Sequence, residues 1–379
     1  MQPIQMVDVQ RQYQMLKTDI DRRVLACMES GAFINGPDVK NFEASLSFYL
    51  DNSHVVSCAN GTDALQIALM ALNLQTGDEV MVPSFTFVAS VEVIALLGLK
   101  PIVVDVDPRT FLMKVEDIEA SLSPRTKAII PVHLFGQCAE MDEINATANR
   151  HGLKVIEDAA QGLMTSHRGR SLGAIGQLGA LSFHETKNVI SGEGGALLVN
   201  DAAFIERAEI VREKGTNRTS FFRGEADKYT WVDIGSSYLP GEIIAAFLWA
   251  QLEQAQAITA RRVELWNRYH ERLEACERAG RIRRPVIPAG CRHNAHLYYI
   301  LLPSLQHRNR LIERLRARGI SALFHYVPLH SSPAGRRYGR AASAMTNTDR
   351  AGECLLRLPL WLGMDAGAAD AVAREIEAL

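Results

Sequence analysis

The sequence has 379 residues, 47% of them hydrophobic, which is enough for one large α/β domain and a smaller one. Its 41 basic side chains nearly balance 43 acidic ones, and the net charge of −2 gives no electrostatic basis for a nucleic-acid or anionic-membrane partner. The six cysteines lack the spacing of a zinc site or a disulfide framework, so we expect no metal.

The N-terminal segment MQPIQMVDVQRQYQ lacks the pattern of a signal peptide. The most apolar run, VASVEVIALLGL, is too short to span a membrane and contains Glu92. We therefore expect a cytoplasmic protein without a membrane partner.

The first half of the chain predicts an alternation of helices and buried strands. Residues 19–50 are predicted to form two helices around a turn, and the strand HVVSCA then leads directly into the helical segment NGTDALQIALMALNL. Four more strands follow, separated by helices: DEVMVPSFTF, KPIVVDVD, KAIIPVHLFG and LKVIEDAAQG. This alternation predicts a mainly parallel sheet covered on both faces, with its ligand site at the carboxyl ends of the strands.

The second half predicts two more strands, a long helix and a smaller unit. GALSF and EGGALLVN are predicted strands, and residues 233–276 are predicted to form one long or kinked helix with a break near Pro240. From about residue 285, HLYYILLP, HRNRLIERLRARG, ISALFHYVPLH and a final helix predict a β-α-β-α unit. We expect a large domain over residues 1–255 and a small one over residues 256–379.

The turn after the first strand is a candidate phosphate site. Asn60, Gly61 and Thr62 stand where a helix begins, so free backbone N–H groups and the positive end of the helix dipole face outward. An ordinary helix cap by Thr62 or Asp63 explains the same residues. Neither a G-x-G-x-x-G fingerprint nor a Walker lysine is present, which argues against a nucleotide cofactor.

Two charged side chains at strand ends complete a pattern. Asp158 ends a buried strand, where a carboxylate needs a cation or donors, although it can also cap the turn that follows. Lys187 stands between two apolar strands, either with its amine reaching solvent or as a buried amine with a lowered pKa. With the phosphate site, these residues supply what pyridoxal 5'-phosphate (PLP) requires: a phosphate anchor, a carboxylate for the ring nitrogen and an amine for the aldehyde. Phe85 or Phe87 is a candidate for stacking on the ring.

Nine segments in chain order carry a family resemblance: NGTDAL, GDEVMVPSFTFVAS, VDVDPRTF, AIIPVHLFGQCAEMD, VIEDAAQG, SFHETKN, GEGGALL, REKGTNR and FHYVPLH. Together they resemble the DegT/DnrJ/EryC1/StrS nucleotide-sugar aminotransferases over nearly the whole chain. The resemblance implies the fold-type I, aspartate aminotransferase-like α/β fold, with a mostly parallel seven-stranded sheet between helices and a smaller C-terminal α/β domain. It also implies PLP, with the pyridoxamine form (PMP) during turnover, and a homodimer with shared active sites.

The resemblance also assigns roles to residues. Lys187 would bind the aldehyde covalently, Asp158 would hold the ring nitrogen and Gln161 would lie beside the phenolic oxygen. Phe87 would stack on the ring. The phosphate cradle would consist of Gly61, Thr62 and Ser182, with Ser237 or Tyr238 of the partner chain replacing an asparagine found in many relatives.

Candidate substrate contacts are less closely defined by the sequence. They are His184, Arg218, Arg223 and His330. His184 could contact the substrate or support its turn. The planar guanidinium groups of Arg218 and Arg223 suit a diphosphate or a carboxylate, although both could equally be solvated at the surface. His330 belongs to a segment that approaches the active site in relatives. For His325 a structural role is favoured.

The implied reaction moves the amino group of L-glutamate to a nucleotide-linked keto sugar. FHETKN, LLRLPLW and the segment from EIVREKGTNR to DIGSSYL are most similar to enzymes that aminate TDP-4-keto-6-deoxy-D-glucose to TDP-4-amino-4,6-dideoxy-D-galactose. The first 140 residues resemble the broader family, which includes enzymes that aminate C3. Two alternatives remain: a PLP-dependent sugar dehydratase, in which histidine replaces the lysine, and a regulatory PLP-binding protein.

Overall fold

The structure is a computed structural model, and it describes residues 3–378. Its helices are α1 (Val9–Ser30), α2 (Pro37–Tyr49), α3 (Gly61–Ala71), α4 (Ala89–Leu96), α5 (Val115–Ser121), α6 (Met141–His151), α7 (Ile205–Arg212), α8 (Arg218–Phe222), α9 (Glu242–Leu252), α10 (Ala255–Arg272), α11 (Glu274–Arg278), α12 (Leu305–Ala317), α13 (Pro333–Tyr338), α14 (Thr346–Cys354) and α15 (Ala366–Glu377).

The strands are β1 (His54–Cys58), β2 (Glu79–Pro83), β3 (Lys100–Val104), β4 (Thr126–Ile129), β5 (Lys154–Asp158), β6 (Ser166–His167), β7 (Arg170–Ser171), β8 (Leu178–Ser182), β9 (Gly195–Val199), β10 (Cys291–Arg292), β11 (Tyr298–Leu301), β12 (Leu323–Phe324), β13 (Arg340–Ala341) and β14 (Leu355–Leu358).

A mostly parallel sheet forms the centre of the molecule. Its strand order is β1-β9-β8-β5-β4-β2-β3-β13, and only β9 runs antiparallel to its neighbours. Seven of these strands match the expected sheet. The eighth, β13, has two residues and comes from the C-terminal part of the chain, so the sheet is one strand wider than expected.

Both faces of this sheet are buried, which is why its strands are continuous apolar runs. All five residues of β2 and of β9 are buried. One cluster of buried side chains includes Phe42 and Leu46 of α2, and another includes Leu65 and Ile67 of α3. The helices therefore cover the sheet on two sides and leave the carboxyl ends of the parallel strands open for a site.

The C-terminal part has its own antiparallel sheet, in the order β11-β14-β12. Its central strand, β14, was not predicted as a strand, and the segment ISALFHYVPLH forms only the two-residue β12. The predicted helix over residues 233–276 is also wrong at its start, because residues 233–241 are not helical and α9 begins at Glu242.

Helix α10 connects the two parts of the chain. Ala255 and Ile258 pack into a core of the central sheet, whereas Leu265 and Trp266 pack into the C-terminal core. Ile4 also joins the C-terminal core. The domain boundary after residue 255 stays a prediction. No helix among residues 3–378 is long and apolar enough to cross a membrane.

Candidate active site

A cavity of about 560 Å³ opens at the carboxyl ends of the parallel strands. The structure brings eight of the predicted site residues to its lining: Gly61, Thr62, Phe87, Asp158, Gln161, Ser182, His184 and Lys187. These residues follow β1, β2, β5 and β8, whose ends meet at one edge of the sheet.

The turn between β1 and α3 is built around a close approach. A Cβ atom on Gly61 would lie 2.7 Å from Cβ of Ser182, so no larger residue fits there without movement. Asn60 caps α3 by accepting a hydrogen bond from the Asp63 N–H at 2.8 Å. The predicted cap therefore exists, but Asn60 makes it, and the N–H groups of Gly61 and Thr62 remain for an anion.

Asp158 is held in a fixed orientation at the end of β5. Its Oδ2 accepts a hydrogen bond from the Ser90 hydroxyl at 2.6 Å, and its Oδ1 accepts one from the Ala160 N–H at 3.1 Å. The side chain is buried and lines the cavity. These neutral donors orient the carboxylate without neutralising it, so its charge can act on a group in the cavity.

Lys187 has the electrostatics expected of a reactive amine. Its pKa is lowered to about 8, mainly by burial; the Asp158 carboxylate opposes this shift, and the Arg357 guanidinium contributes to it. A tenth or so of the amine is therefore uncharged at neutral pH, where an ordinary lysine is almost fully protonated. Of the two readings that the sequence left open, the structure supports the buried amine.

Gln161 is anchored on both ends of its amide. Its Oε1 accepts a hydrogen bond from the Phe135 N–H at 2.6 Å, and its Nε2 donates to the Tyr326 hydroxyl at 3.2 Å.

Phe87 is 55% exposed and presents its ring to the cavity, whereas Phe85 is fully buried in a core cluster. Phe87 is therefore the aromatic residue available for stacking.

His184 lies at the cavity in a defined tautomer. Its Nδ1 accepts a hydrogen bond from the Thr186 N–H at 3.2 Å, so in the neutral ring Nε2 carries the proton. Nε2 lies 3.8 Å from a carboxylate oxygen of Glu193. The ring is therefore available to donate from Nε2.

Three basic side chains of the cavity lining were not predicted as site residues from the sequence. Arg357 and His296 are buried and line the cavity, and His325, for which a structural role was favoured, lines it as well. Burial lowers the pKa of His325 to about 4, and Arg357 adds to this shift. The arginine in the leucine-rich segment LLRLPLW was a usable signal, because a buried guanidinium is costly without a binding partner.

Four predicted residues do not reach the cavity of their own chain. Arg218 pairs with Glu213 and Arg223 with Glu209, and both arginines line a separate cavity of about 600 Å³. His330 places Nδ1 2.9 Å from the Ser84 hydroxyl, which holds it in a loop contact. Ser237 is exposed and pairs through its backbone with Glu213, so its predicted role through a partner chain stays a prediction.

The residues present fit PLP. Free N–H groups at a helix start, a buried charged carboxylate, an amine of lowered pKa and an exposed aromatic ring all line one cavity. Among the described residues, no group of three or more histidines, cysteines, aspartates or glutamates is arranged to hold a metal ion.

Comparisons with known proteins identify the family of this chain. The model of the DegT/DnrJ/EryC1/StrS aminotransferase family matches residues 14–377. A protein of Geobacillus stearothermophilus described as a pleiotropic regulatory protein is 36% identical over 361 residues, which cover 94% of this chain and 93% of the relative. The UDP-2-acetamido-2-deoxy-3-oxo-D-glucuronate aminotransferase of Pseudomonas aeruginosa is 36% identical over 333 residues, which cover 87% of this chain and 88% of the relative.

Solved structures extend the likeness to the whole fold. DesV from S. venezuelae superposes with a TM-score of 0.91 at 30% identity, covering 100% of this chain and 98% of that one. The ntda protein of Bacillus subtilis, solved with bound PMP, superposes with a TM-score of 0.90 at 28% identity, covering 100% of this chain and 85% of that one. The predicted fold class and cofactor are thereby confirmed. This chain belongs to the DegT/DnrJ/EryC1/StrS aminotransferase family and is a PLP-dependent aminotransferase.

Proposed function

We propose that this enzyme transfers the amino group of L-glutamate to the keto group of a nucleotide-linked hexose. The proposed substrate is TDP-4-keto-6-deoxy-D-glucose, and the proposed product is TDP-4-amino-4,6-dideoxy-D-galactose. The observation that carries the reaction type is the meeting of Lys187, Asp158 and the start of α3 in one cavity. The choice of sugar rests on the resemblance of FHETKN, LLRLPLW and the segment around DIGSSYL.

PLP, when bound, supplies an electron-accepting ring that stabilises the negative charge left when a proton leaves the substrate carbon. Asp158 holds a proton on the ring nitrogen through its buried negative charge. Lys187 would accept the proton from the substrate carbon at Nζ and pass it to the aldehyde carbon of the cofactor, which requires an amine that is uncharged part of the time. Its pKa of about 8 suits this transfer near neutral pH.

The remaining cavity residues bind and orient the cofactor. The N–H groups of Gly61 and Thr62, with the Ser182 hydroxyl, would hold the phosphate. Gln161, whose amide is fixed by the Phe135 N–H, would lie beside the phenolic oxygen. Phe87, whose side chain is exposed at the cavity, would stack on one face of the ring.

A C3-aminating enzyme is the second candidate. The relative from Pseudomonas aeruginosa is described by its action on a 3-oxo sugar and is 36% identical to this chain. Two other roles have less support. A sugar dehydratase of this family would replace Lys187 by histidine, and a purely regulatory protein, as the name of the relative from Geobacillus stearothermophilus suggests, would not need a reactive amine.

We further propose that the enzyme is a homodimer with shared active sites. The segment of residues 221–234 carries large apolar side chains in solvent, including Trp231 at 75% and Ile234 at 71% exposure. Exposed apolar surface of this kind is typical of a protein interface. Ser237, just after this segment, is exposed and therefore available to a second chain.

The test is a panel of TDP- and UDP-linked 3-keto and 4-keto sugars incubated with glutamate and purified enzyme, with the amino position of each product determined by NMR. We expect amination at C4 of the TDP-linked 6-deoxy sugar. Amination at C3 alone would support the second candidate instead, and no turnover of any keto sugar would contradict the proposal. Lys187→Ala is the control and should leave every sugar unchanged.

A further inference from the structure

Arg357 is a buried cation that the residue roles above leave unused. It lies in β14, the central strand of the small sheet, and is 6% exposed. Its side chain lines the cavity that contains Lys187. Of the described residues around this cavity, only Lys187 and Arg357 are lysine or arginine. Once Lys187 is joined to the cofactor, Arg357 is the permanent positive charge that this chain offers to a substrate.

The guanidinium of Arg357 has no anionic partner within residues 3–378. It forms no ion pair with a described carboxylate, and its buried Nε has no hydrogen-bond acceptor. Burial lowers its pKa, but arginine keeps its proton at neutral pH. A buried and unpaired guanidinium is strongly unfavourable unless a ligand supplies the missing anion.

His325 orients this guanidinium without neutralising it. The His325 Nδ1–H donates to the carbonyl oxygen of Phe324 at 2.7 Å, which leaves Nε2 as an acceptor. Nε2 lies 3.3 Å from an NH group of Arg357 and accepts its hydrogen. A neutral histidine therefore fixes one edge of the guanidinium, while Nε stays free for a second acceptor.

We infer that Arg357 binds the α-carboxylate of the amino-acid donor. This inference rests on the proposed function and adds the residue that recognises glutamate. In an α-amino acid, the carboxylate is bonded to the carbon that carries the amine, so it must lie close to the position of the Lys187 Nζ. Arg357 lies close enough to Lys187 for the two positive charges to affect each other. The planar guanidinium can bind a carboxylate with two parallel hydrogen bonds.

The sugar substrate supplies no equally suitable anion at this depth. Its diphosphate is attached to C1, and the hexose ring separates it from a reacting C3 or C4. A carboxylate at C6 of a uronic sugar is the other possible source, since one relative is described as acting on a glucuronate. The 6-deoxy sugar proposed above has no such group, which is why we assign Arg357 to the donor.

The test measures the two half-reactions separately on Arg357→Gln holoenzyme, by the change in cofactor absorbance. The glutamate half-reaction should show an apparent Kd raised about 10- to 100-fold, as expected for loss of a charge-assisted hydrogen-bond pair. The half-reaction of the PMP form with the keto sugar should change less than about threefold, and cofactor content should match that of the native enzyme. The shift in Tm caused by a bound dicarboxylate is a readout that does not depend on turnover. Glutarate should raise the Tm of the native holoenzyme but not that of Arg357→Gln.

Arg308→Gln is the matched control, because Arg308 is a buried arginine of the same part of the chain that donates to the Gly352 carbonyl and lies outside the cavity. It should lower Tm while leaving the glutamate Kd unchanged within about threefold. If Arg357→Gln does not fold, Arg357→Lys, which keeps the charge but loses the planar fork, should still raise the glutamate Kd about tenfold.

Three results would overturn the assignment. One is an unchanged glutamate Kd in both Arg357 variants. Another is a defect confined to the half-reaction with a uronic keto sugar, which would move Arg357 to the acceptor. The third is an equal loss in Arg308→Gln. Failure of the proposed function looks different: native enzyme would aminate none of the keto sugars, whereas its glutamate half-reaction would still depend on Arg357.

Discussion

The Ser90 hydroxyl donates to a carboxylate oxygen of Asp158 at 2.6 Å, with both residues shielded from solvent. Ser90 belongs to α4 and Asp158 ends β5, so the bond joins two elements that are 68 residues apart in sequence. The hydroxyl of Thr86 lies 3.0 Å from that of Ser90 and extends the network. A carboxylate fixed in this way keeps its charge directed into the cavity.

Asp158→Asn should retain part of the cofactor and lose most activity, because a neutral amide does not hold the proton on the ring nitrogen. We expect kcat to fall by at least about 100-fold, within the range of general acid–base effects. Ser90→Ala, which keeps the charge and removes one hydrogen bond, should lower kcat only about 3- to 10-fold. Steady-state kinetics and cofactor content per chain check both values. A full native rate in Asp158→Asn would remove the role assigned to this carboxylate.

The purified holoenzyme should be yellow, and borohydride should fix the cofactor to Lys187. The pH dependence follows from the lowered pKa of about 8, since only the uncharged amine reacts with an aldehyde. With PLP added to apoenzyme, the rate of covalent addition should rise from about pH 6 to about pH 9 and then level off, because Lys187 is then mostly deprotonated.

A lysine-containing peptide is the control for this pH profile, and its rate should keep rising towards about pH 10.5. A protein profile that matches the peptide would show that the amine is not perturbed. Mass spectrometry of the reduced protein should locate the cofactor on residue 187. Turnover of a keto sugar at the native rate by Lys187→Ala would contradict the assignment of this residue.

The residues at the strand ends could be predicted because their chemistry is unusual for their place. A carboxylate at 158, an amine at 187 and a helix start at 61 are each costly or unsatisfied without a ligand, and the topology of a parallel sheet brings strand ends together. The apolar strands of the central sheet were also predictable, since strands buried on both faces leave continuous hydrophobic runs.

Arg357 and the small sheet were harder to predict. The strand β14 has four residues, and its arginine interrupts the apolar pattern that would mark it as buried. The partners of Arg218 and Arg223 could not be inferred either, because an arginine near a cleft looks the same in sequence whether it binds a ligand or a glutamate. Such pairings depend on packing between distant segments.

Glu157, the neighbour of Asp158, should be a stability determinant. Its side chain is fully buried, lies 2.8 Å from Nε2 of His133 and accepts hydrogen bonds from the N–H groups of Gly173, Ile175 and Gly176. Glu157→Gln should lower the free energy of unfolding by about 3 kcal/mol, since it removes the charge from a buried hydrogen-bonded pair.

The matched control is Glu119→Gln. Like Glu157, Glu119 contacts a histidine, and it also contacts an arginine, but its site is exposed, so its loss should cost less than about 1 kcal/mol. Thermal and denaturant unfolding of the holoenzymes compare the two. A stability loss no larger in Glu157→Gln than in Glu119→Gln would contradict the anchoring role of Glu157.

Trp231, in the segment of residues 221–234, should contribute to dimer formation. An exposed tryptophan commonly contributes a large share of binding energy when a partner covers it, so Trp231→Ser should raise the dimer dissociation constant by at least about tenfold. Sedimentation equilibrium over a range of protein concentrations measures this change. Tyr338→Ser, which removes an aromatic ring that is 45% exposed on α13, is the control and should leave the dissociation constant unchanged.

If Ser237 of the partner chain contributes to the phosphate site, Trp231→Ser should also lose cofactor on dilution, in parallel with dissociation. A native protein that is monomeric at every concentration and still holds its cofactor would contradict both the dimer and the shared site.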